Sequence, residues 1–178
     1  MEFWVAGEPK PGGSKRGFYN AKLKRVMITE ACGKTKNWRA SVAQCGSEAW
    51  ASATEEEKRA LFAPLRVRFE FVFLRPKSHY GSGARAGVVK ASAPPFPAGR
   101  PDTTKLIRST EDALTGILWR DDAQVVTQYA TKRYGEQAGC LISVEFEAGL
   151  MILLICAASR ATMGLRESWR RACNPLSA

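Results

Sequence analysis

Leu65 to Leu74 is the segment that most limits what this chain can fold into. Leu65, Val67, Phe69, Phe71 and Phe73 alternate with Arg66, Arg68, Glu70 and Val72. A period of two marks a strand with one face buried and the other partly polar, with Arg66 and Arg68 on the face opposite the aromatics. A strand needs partners, and the sequence offers four. Phe3 to Gly7 reads as a short strand, and Val26-Met27-Ile28 as a second. Val125 to Arg133 reads as a third. Cys140 to Phe146 alternates too, but its register is ambiguous, because either Leu141, Ser143, Glu145 or Ile142, Val144, Phe146 can face inward.

Helices lie between these strands. From Lys34 to about Ala53, Trp38, Val42, Cys45, Ala49 and Trp50 recur at helical spacing, which places them in a core. Thr54-Glu55-Glu56-Glu57 is a capped start to a shorter helix ending before Pro64. Thr103 to Leu118 carries the strongest helical pattern, with Leu106, Ile107, Thr110, Ala113, Leu114 and Ile117 on one stripe. Asp102, Thr103 or Thr104 can cap its first turn. Gly116 weakens its end, and Trp119-Arg120-Asp121-Asp122 reads as a turn.

Two stretches read as loops. Pro9-Lys10-Pro11-Gly12-Gly13-Ser14-Lys15-Arg16 is Pro/Gly-rich and cationic, and Lys22, Lys24 and Arg25 follow it. Residues 75–101 are rich in Gly, Pro, Ser and Lys/Arg, and an irregular stretch of that length is functional or disordered. Its glycines do not have the spacing or the strand-turn-helix context of a dinucleotide loop. His79 within it reads as solvated.

The chain of 178 residues is long enough for one domain with a core that needs no disulfide or metal staple. Its 27 Lys and Arg against 17 Asp and Glu give a net charge of +10, which favours a polyanionic partner. Cys32, Cys45, Cys140, Cys156 and Cys173 show no metal-ligand spacing, and there is a single histidine, so a zinc site is not expected. With no secretion signal at Met1-Glu2-Phe3-Trp4, the odd count points to reduced thiols in a cytoplasm. Leu150 to Ala158 is apolar but far short of the about twenty residues that span a bilayer.

The chemistry-bearing residues lie between Arg100 and Val126. Asp102 opens a helix and Asp121-Asp122 follow it, so a chain that folds back could bring them together. Carboxylate oxygens suit a hard cation such as Mg²⁺, which keeps water and phosphate oxygens as further ligands. Lys105 and Arg108 lie three residues apart on one helix face, with Asp112 four further on. The same residues also read as a helix cap, a turn and ordinary surface ion pairs, and spacing alone does not choose.

Asp102-Thr103-Thr104-Lys105-Leu106-Ile107-Arg108, then Asp112-Ala113-Leu114, then Asp121-Asp122-Ala123-Gln124-Val125 resembles the signature of the RusA family of Holliday junction resolvases. Weaker likeness runs from Phe3 to Gly13, Leu65 to Pro76 and Val125 to Glu147. It spans residues 1–149 and leaves 150–178 as a C-terminal extension. The resemblance implies a small α/β (α+β) domain, a mixed sheet packed with helices, acting as a homodimer. It implies Mg²⁺-dependent, or Mn²⁺-dependent, cleavage of four-way DNA junctions in recombination and repair, in a bacterium or a phage-infected host cell.

By the same resemblance Asp102 and Asp122 match metal-ligand carboxylates, Asp121 matches their acidic neighbour, and Arg108 stands where a catalytic lysine is expected. Thr104 departs from the pattern, since a carboxylate is expected there and a hydroxyl is a poorer Mg²⁺ ligand. Water, Asp121 or Asp112 would have to compensate. Candidate phosphate contacts are Lys10, Lys15, Arg16, Lys22, Lys24, Arg25, Lys77, Arg100 and Lys105. Two other readings fit the same residues: a DNA-binding protein of this fold without cleavage, and a basic protein for RNA or a protein partner.

Overall fold

The computed structural model describes residues 1–13, 15–30 and 33–147. The extension at 150–178, with its apolar run, and Cys32, Cys156 and Cys173 lie outside the described residues. Four strands form one sheet: β1 (Glu2–Ala6), β4 (Leu65–Leu74), β5 (Val125–Gly135) and β6 (Gly139–Phe146), in the order β1-β6-β4-β5. β1 with β6 and β6 with β4 are antiparallel, and β4 with β5 is parallel. The sheet is therefore mixed, as expected. β2 (Lys15–Asn20) and β3 (Arg25–Glu30) pair with each other in a separate two-stranded ribbon.

The alternation in β4 does what its period requires. Leu65, Val67, Phe69 and Phe71 are fully buried, and Arg66, Arg68 and Glu70 occupy the other face. In β6 the inward set is Cys140, Ile142 and Val144, which settles the register that the sequence left open. Helix α1 (Thr35–Ser52) and helix α3 (Thr103–Leu114) cover the apolar face. Trp38 and Val42 from α1 meet Leu106 and Leu114 from α3 in the same core. A buried polar bond joins the two helices: Trp38 Nε1 donates to Thr110 Oγ1 at 3.2 Å, and Thr110 Oγ1 donates back to Leu106 O at 3.0 Å. The short α2 (Glu55–Ala60) begins with a full capping box between Thr54 and Glu57.

Two expectations change. The helix from Thr103 stops at Leu114, not Leu118, because Thr115 is extended (φ −59°, ψ 129°) and Gly116 takes φ +81°, a left-handed conformation that ends helices. Leu118 and Trp119 then turn back into the core. The basic loop is also shorter than its composition suggests. Lys15 and Arg16 already belong to β2, whose residues Lys-Arg-Gly-Phe-Tyr-Asn lack a repeated apolar face. A turn at 21–24 closes the ribbon, with Asn20 Oδ1 accepting from the backbone N–H of Lys22 and of Leu23 at 3.1 Å each.

Among the described residues, no helix is long and apolar enough to cross a membrane. Cys45 and Cys140 are free thiols, and burial pushes both above the usual thiol range, Cys140 further.

Phe69 is wholly buried at the centre of β4 and stacks on Phe71 with ring centroids 5.9 Å apart. Phe69→Ala is expected to cost about 3–5 kcal/mol of stability, read from urea unfolding. A loss below about 1 kcal/mol would contradict this placement of the core.

Candidate functional site

Because β4 and β5 are parallel, the chain between them must return along the sheet, and α3 makes that return. Asp102 is its N-cap residue, and Asp122 lies against its last turn. Twelve helical residues at about 1.5 Å each put the two carboxylates about 18 Å apart along the axis. Folding back does not unite them within one chain. Among the described residues no group of three His, Cys, Asp or Glu side chains gathers as a metal cage.

The N-terminal end of α3 holds Asp102, Lys105 and Arg108. Asp102 makes no side-chain capping bond, although it occupies the cap position. Its Oδ2 lies 3.1 Å from Lys105 Nζ, and both side chains are about half exposed, so the pair contributes little stability. The segment before it is pinned from β5: Lys132 Nζ donates to the carbonyls of Gly99 (2.9 Å) and Pro101 (3.0 Å). Arg100 and Thr104 are exposed.

The Pro11-Gly12-Gly13 loop is docked on this helix. The Gly12 N–H donates to Lys105 O at 2.9 Å, and Thr35 Oγ1 donates to Pro11 O at 2.7 Å. The approach at Gly12 is tight: a Cβ there would meet Arg39 Nη2 at 2.8 Å and Ser109 Cβ at 3.0 Å, so the helix would have to give by a few tenths of an ångström. Gly13 lies beside the side chain of Arg108, which is exposed. The cationic face of α3 is thereby tied to the loop that leads into the basic ribbon.

At the other end the two adjacent aspartates have different work. Asp121 Oδ1 accepts from Ala123 N at 2.8 Å and caps the turn Asp122–Gln124. Gln124 completes that turn: its Oε1 accepts from Arg120 N at 2.7 Å, and its Nε2 donates to Leu61 O at 3.2 Å. Asp122 is oriented by side chains instead. Trp119 Nε1 donates to its Oδ1 at 3.2 Å, and Thr115 Oγ1 donates to the same oxygen. The Trp119 ring is buried, so its indole N–H is a fixed donor.

Glu111 also belongs to this end. Gln128 Nε2 donates to Glu111 Oε1 at 2.9 Å. Burial, then the negative charges of Asp122 and Asp112, raise the Glu111 carboxyl above the usual carboxylate range, against the lowering effect of the Gln128 bond. Asp112 is spent on Arg39, Nη2 to Oδ2 2.7 Å. Of the groups that could make up for Thr104, Asp121 and Asp112 are thus engaged in holding the fold, and Glu111 is the further carboxylate beside Asp122. The sequence marks Glu111 only as a carboxylate one turn before the Thr115-Gly116 break, and its burial beside Asp122 comes from the fold.

The remaining basic residues lie in three places. Lys15, Arg16, Lys22, Lys24 and Arg25 are on the ribbon and its turn, and Lys24 takes φ +48°. Lys77 is exposed on a single 3₁₀ turn (Lys77–His79). Lys10 pairs with Glu8 at 2.7 Å and is mostly covered, which makes it the least available to a phosphate.

A family model described as endodeoxyribonuclease RusA matches residues 7–145. No curated protein matches the chain significantly.

A carboxyl raised in the folded state binds its proton more tightly there than in the unfolded chain. Its contribution to stability is present at low pH and is lost as pH climbs through the raised value. In metal-free buffer, Glu111→Gln should therefore gain stability relative to wild type as pH rises from the ordinary carboxylate range through the raised value, read from urea midpoints. A difference independent of pH would refute the raised carboxyl. Gln124→Ala strips three backbone groups, Arg120 N–H, Asp121 N–H and Leu61 C=O, of their partner and should cost about 1–2 kcal/mol by the same measurement.

Proposed function

The chain belongs to the RusA family of endodeoxyribonucleases, and from that premise we propose that it is a magnesium-dependent homodimer that resolves four-way DNA junctions by paired incision. Manganese is the expected substitute metal. Recombination and repair in the cytoplasm of a bacterium or phage-infected cell is the setting that this activity fits. The observation that carries the reading is the state of Asp102 and Asp122. Both are exposed, and neither is used to cap the backbone beside it, whereas Asp121 is.

The donor set suits a hard cation. Magnesium takes one or two carboxylates and completes its shell with water and phosphate oxygens. Asp102 supplies that at one end of α3, and Asp122, with Asp121 adjacent and Glu111 beside it, at the other. With the ends about 18 Å apart by helical rise, one chain offers two half-sites. A twofold dimer that sets Asp102 of one copy near Asp122 of the other completes two equivalent sites, one for each of two opposed strands.

When bound, magnesium supplies an acidified water and offsets the charge that gathers on the phosphate. The chain's own residues position and balance. Trp119 and Thr115 fix one oxygen of Asp122. Lys105 balances Asp102. A guanidinium is a poor proton donor or acceptor, so the part of Arg108 is to stabilise developing negative charge. Lys15, Arg16, Lys22, Lys24, Arg25, Lys77 and Arg100 serve phosphates away from the cut, which ties affinity to salt. A two-stranded ribbon is also narrow enough to enter a DNA major groove.

Asp102→Asn and Asp122→Asn should each lower junction nicking at least about 100-fold, while junction binding in EDTA stays within about twofold. Mixed dimers of the two variants keep one intact site and should nick one strand only. Absence of recovery on mixing would overturn the shared-site arrangement. Junction binding by wild type without nicking in Mg²⁺ or Mn²⁺ would leave a binding protein in place of an enzyme.

A further inference from the structure

A cleft of about 390 Å³ opens beside the segment that leads into Asp102. Phe73, Pro97, Pro101 and Tyr134 give it apolar walls, and Arg100 and Lys132 stand in its lining next to the acid. Among the described residues no carboxylate lines it. Two other clefts differ in that respect, since one is lined by Glu48 and Glu57 and another by Glu70 and Glu145.

The Tyr134 ring is braced from its surroundings. The Arg75 guanidinium lies 4.3 Å from its centroid and is itself anchored by a 2.9 Å bond to Pro94 O. His79 meets the ring edge-on at 5.7 Å. His79 also lines the cleft, and its Nδ1 is out of contact with solvent and without a hydrogen-bond partner among the described residues. A histidine that reads from sequence as solvated is therefore a partly buried group with an unused polar atom.

Flat apolar walls, a fixed aromatic ring and an imidazole in the lining are what an unstacked nucleobase uses: a face to stack on and a polar ring at its edge. Positive charge at the rim, with no acid in the lining, suits the phosphodiester attached to it. We propose that this cleft takes one nucleobase, splayed out at the branch point, from the strand whose phosphate meets Asp102. Tyr134 would support its face, and His79 would discriminate its edge. The proposal rests on the nuclease reading above and adds a sequence-reading subsite to it.

The test is an abasic scan by equilibrium binding in metal-free buffer. Abasic sites are placed one at a time at the nucleotides flanking the branch, in a four-way junction and in a single strand of the same sequence. One position should weaken wild-type binding about tenfold, the scale of one lost base stack. Tyr134→Ala should bind intact DNA with a similar loss and be indifferent to the abasic site, and Tyr134→Phe should behave as wild type. His79→Ala, on a surface turn outside the sheet, should keep the abasic penalty but flatten the ranking of the four bases at that position. The proposal is overturned if no position costs wild type more than about twofold, or if the penalty persists undiminished in Tyr134→Ala. The latter is also the result expected of a cleft built for a peptide. A Tyr134-dependent penalty on the single strand, without any preference for the junction, would keep the subsite and overturn the junction reading. Junction preference without a base penalty would do the reverse.

Discussion

Parallel pairing of β4 with β5 is the constraint from which the site's layout follows. A parallel pair cannot be closed by a tight turn, so the connecting chain must travel back along the sheet before the second strand begins. Here α3 covers that distance and packs its apolar stripe on the sheet as it does so. The motif residues are carried to opposite ends of a rigid rod: Asp102 where the rod starts, Asp122 where the chain leaves it for β5. An acidic motif that looks continuous in the sequence is thereby split in space. The twofold partner in the proposed dimer is the geometric answer to that split.

Around the split motif, local polar bonds sort residues of the same type into different roles. Asp121 and Asp122 are adjacent, yet one is consumed by the backbone N–H of Ala123 and the other is held by Trp119 and Thr115. Gln124, which looks like a spacer, locks the turn to Leu61 at the end of the α2 segment. Asp112 is taken up by Arg39 of α1. Satisfying the backbone and the helix-helix contact uses some carboxylates and leaves others facing solvent, and the ones left are the candidates for chemistry. Glu111 shows the cost of covering an acid at that end: burial first, then the charges of Asp122 and Asp112, raise its carboxyl.

The cationic surface has a comparable division. The Pro11-Gly12-Gly13 loop lies on α3 because glycine at 12 permits backbone to touch helix. That contact sets the root of the β2-β3 ribbon, on which Tyr19, Val26 and Ile28 remain exposed beside the lysines and arginines. A two-stranded ribbon has little stability of its own, so such a face is suited to be covered by what it binds. On the far side of Asp102, Lys132 ties the preceding segment to β5, next to the cleft walled by Tyr134.

Much was legible in the sequence because it is written in local periodicity. The alternation from Leu65 to Phe73 gave a strand and its buried face, the stripe from Leu106 to Leu114 gave a helix, and Thr54 with Glu57 gave a cap. Residue type and spacing from Asp102 to Val125 gave the family. The strand at Lys15–Asn20 was not legible, since its stability comes from pairing with β3 and not from an apolar face of its own. Nor was the inward set of β6, which depends on which neighbour it pairs with. The distance between Asp102 and Asp122, the engagement of Asp121 and Asp112, the place of Glu111 and the cleft at His79 were decided only by tertiary structure. Each depends on groups far apart in the chain, and a linear pattern records which side chains are present but not which of them the fold has already used.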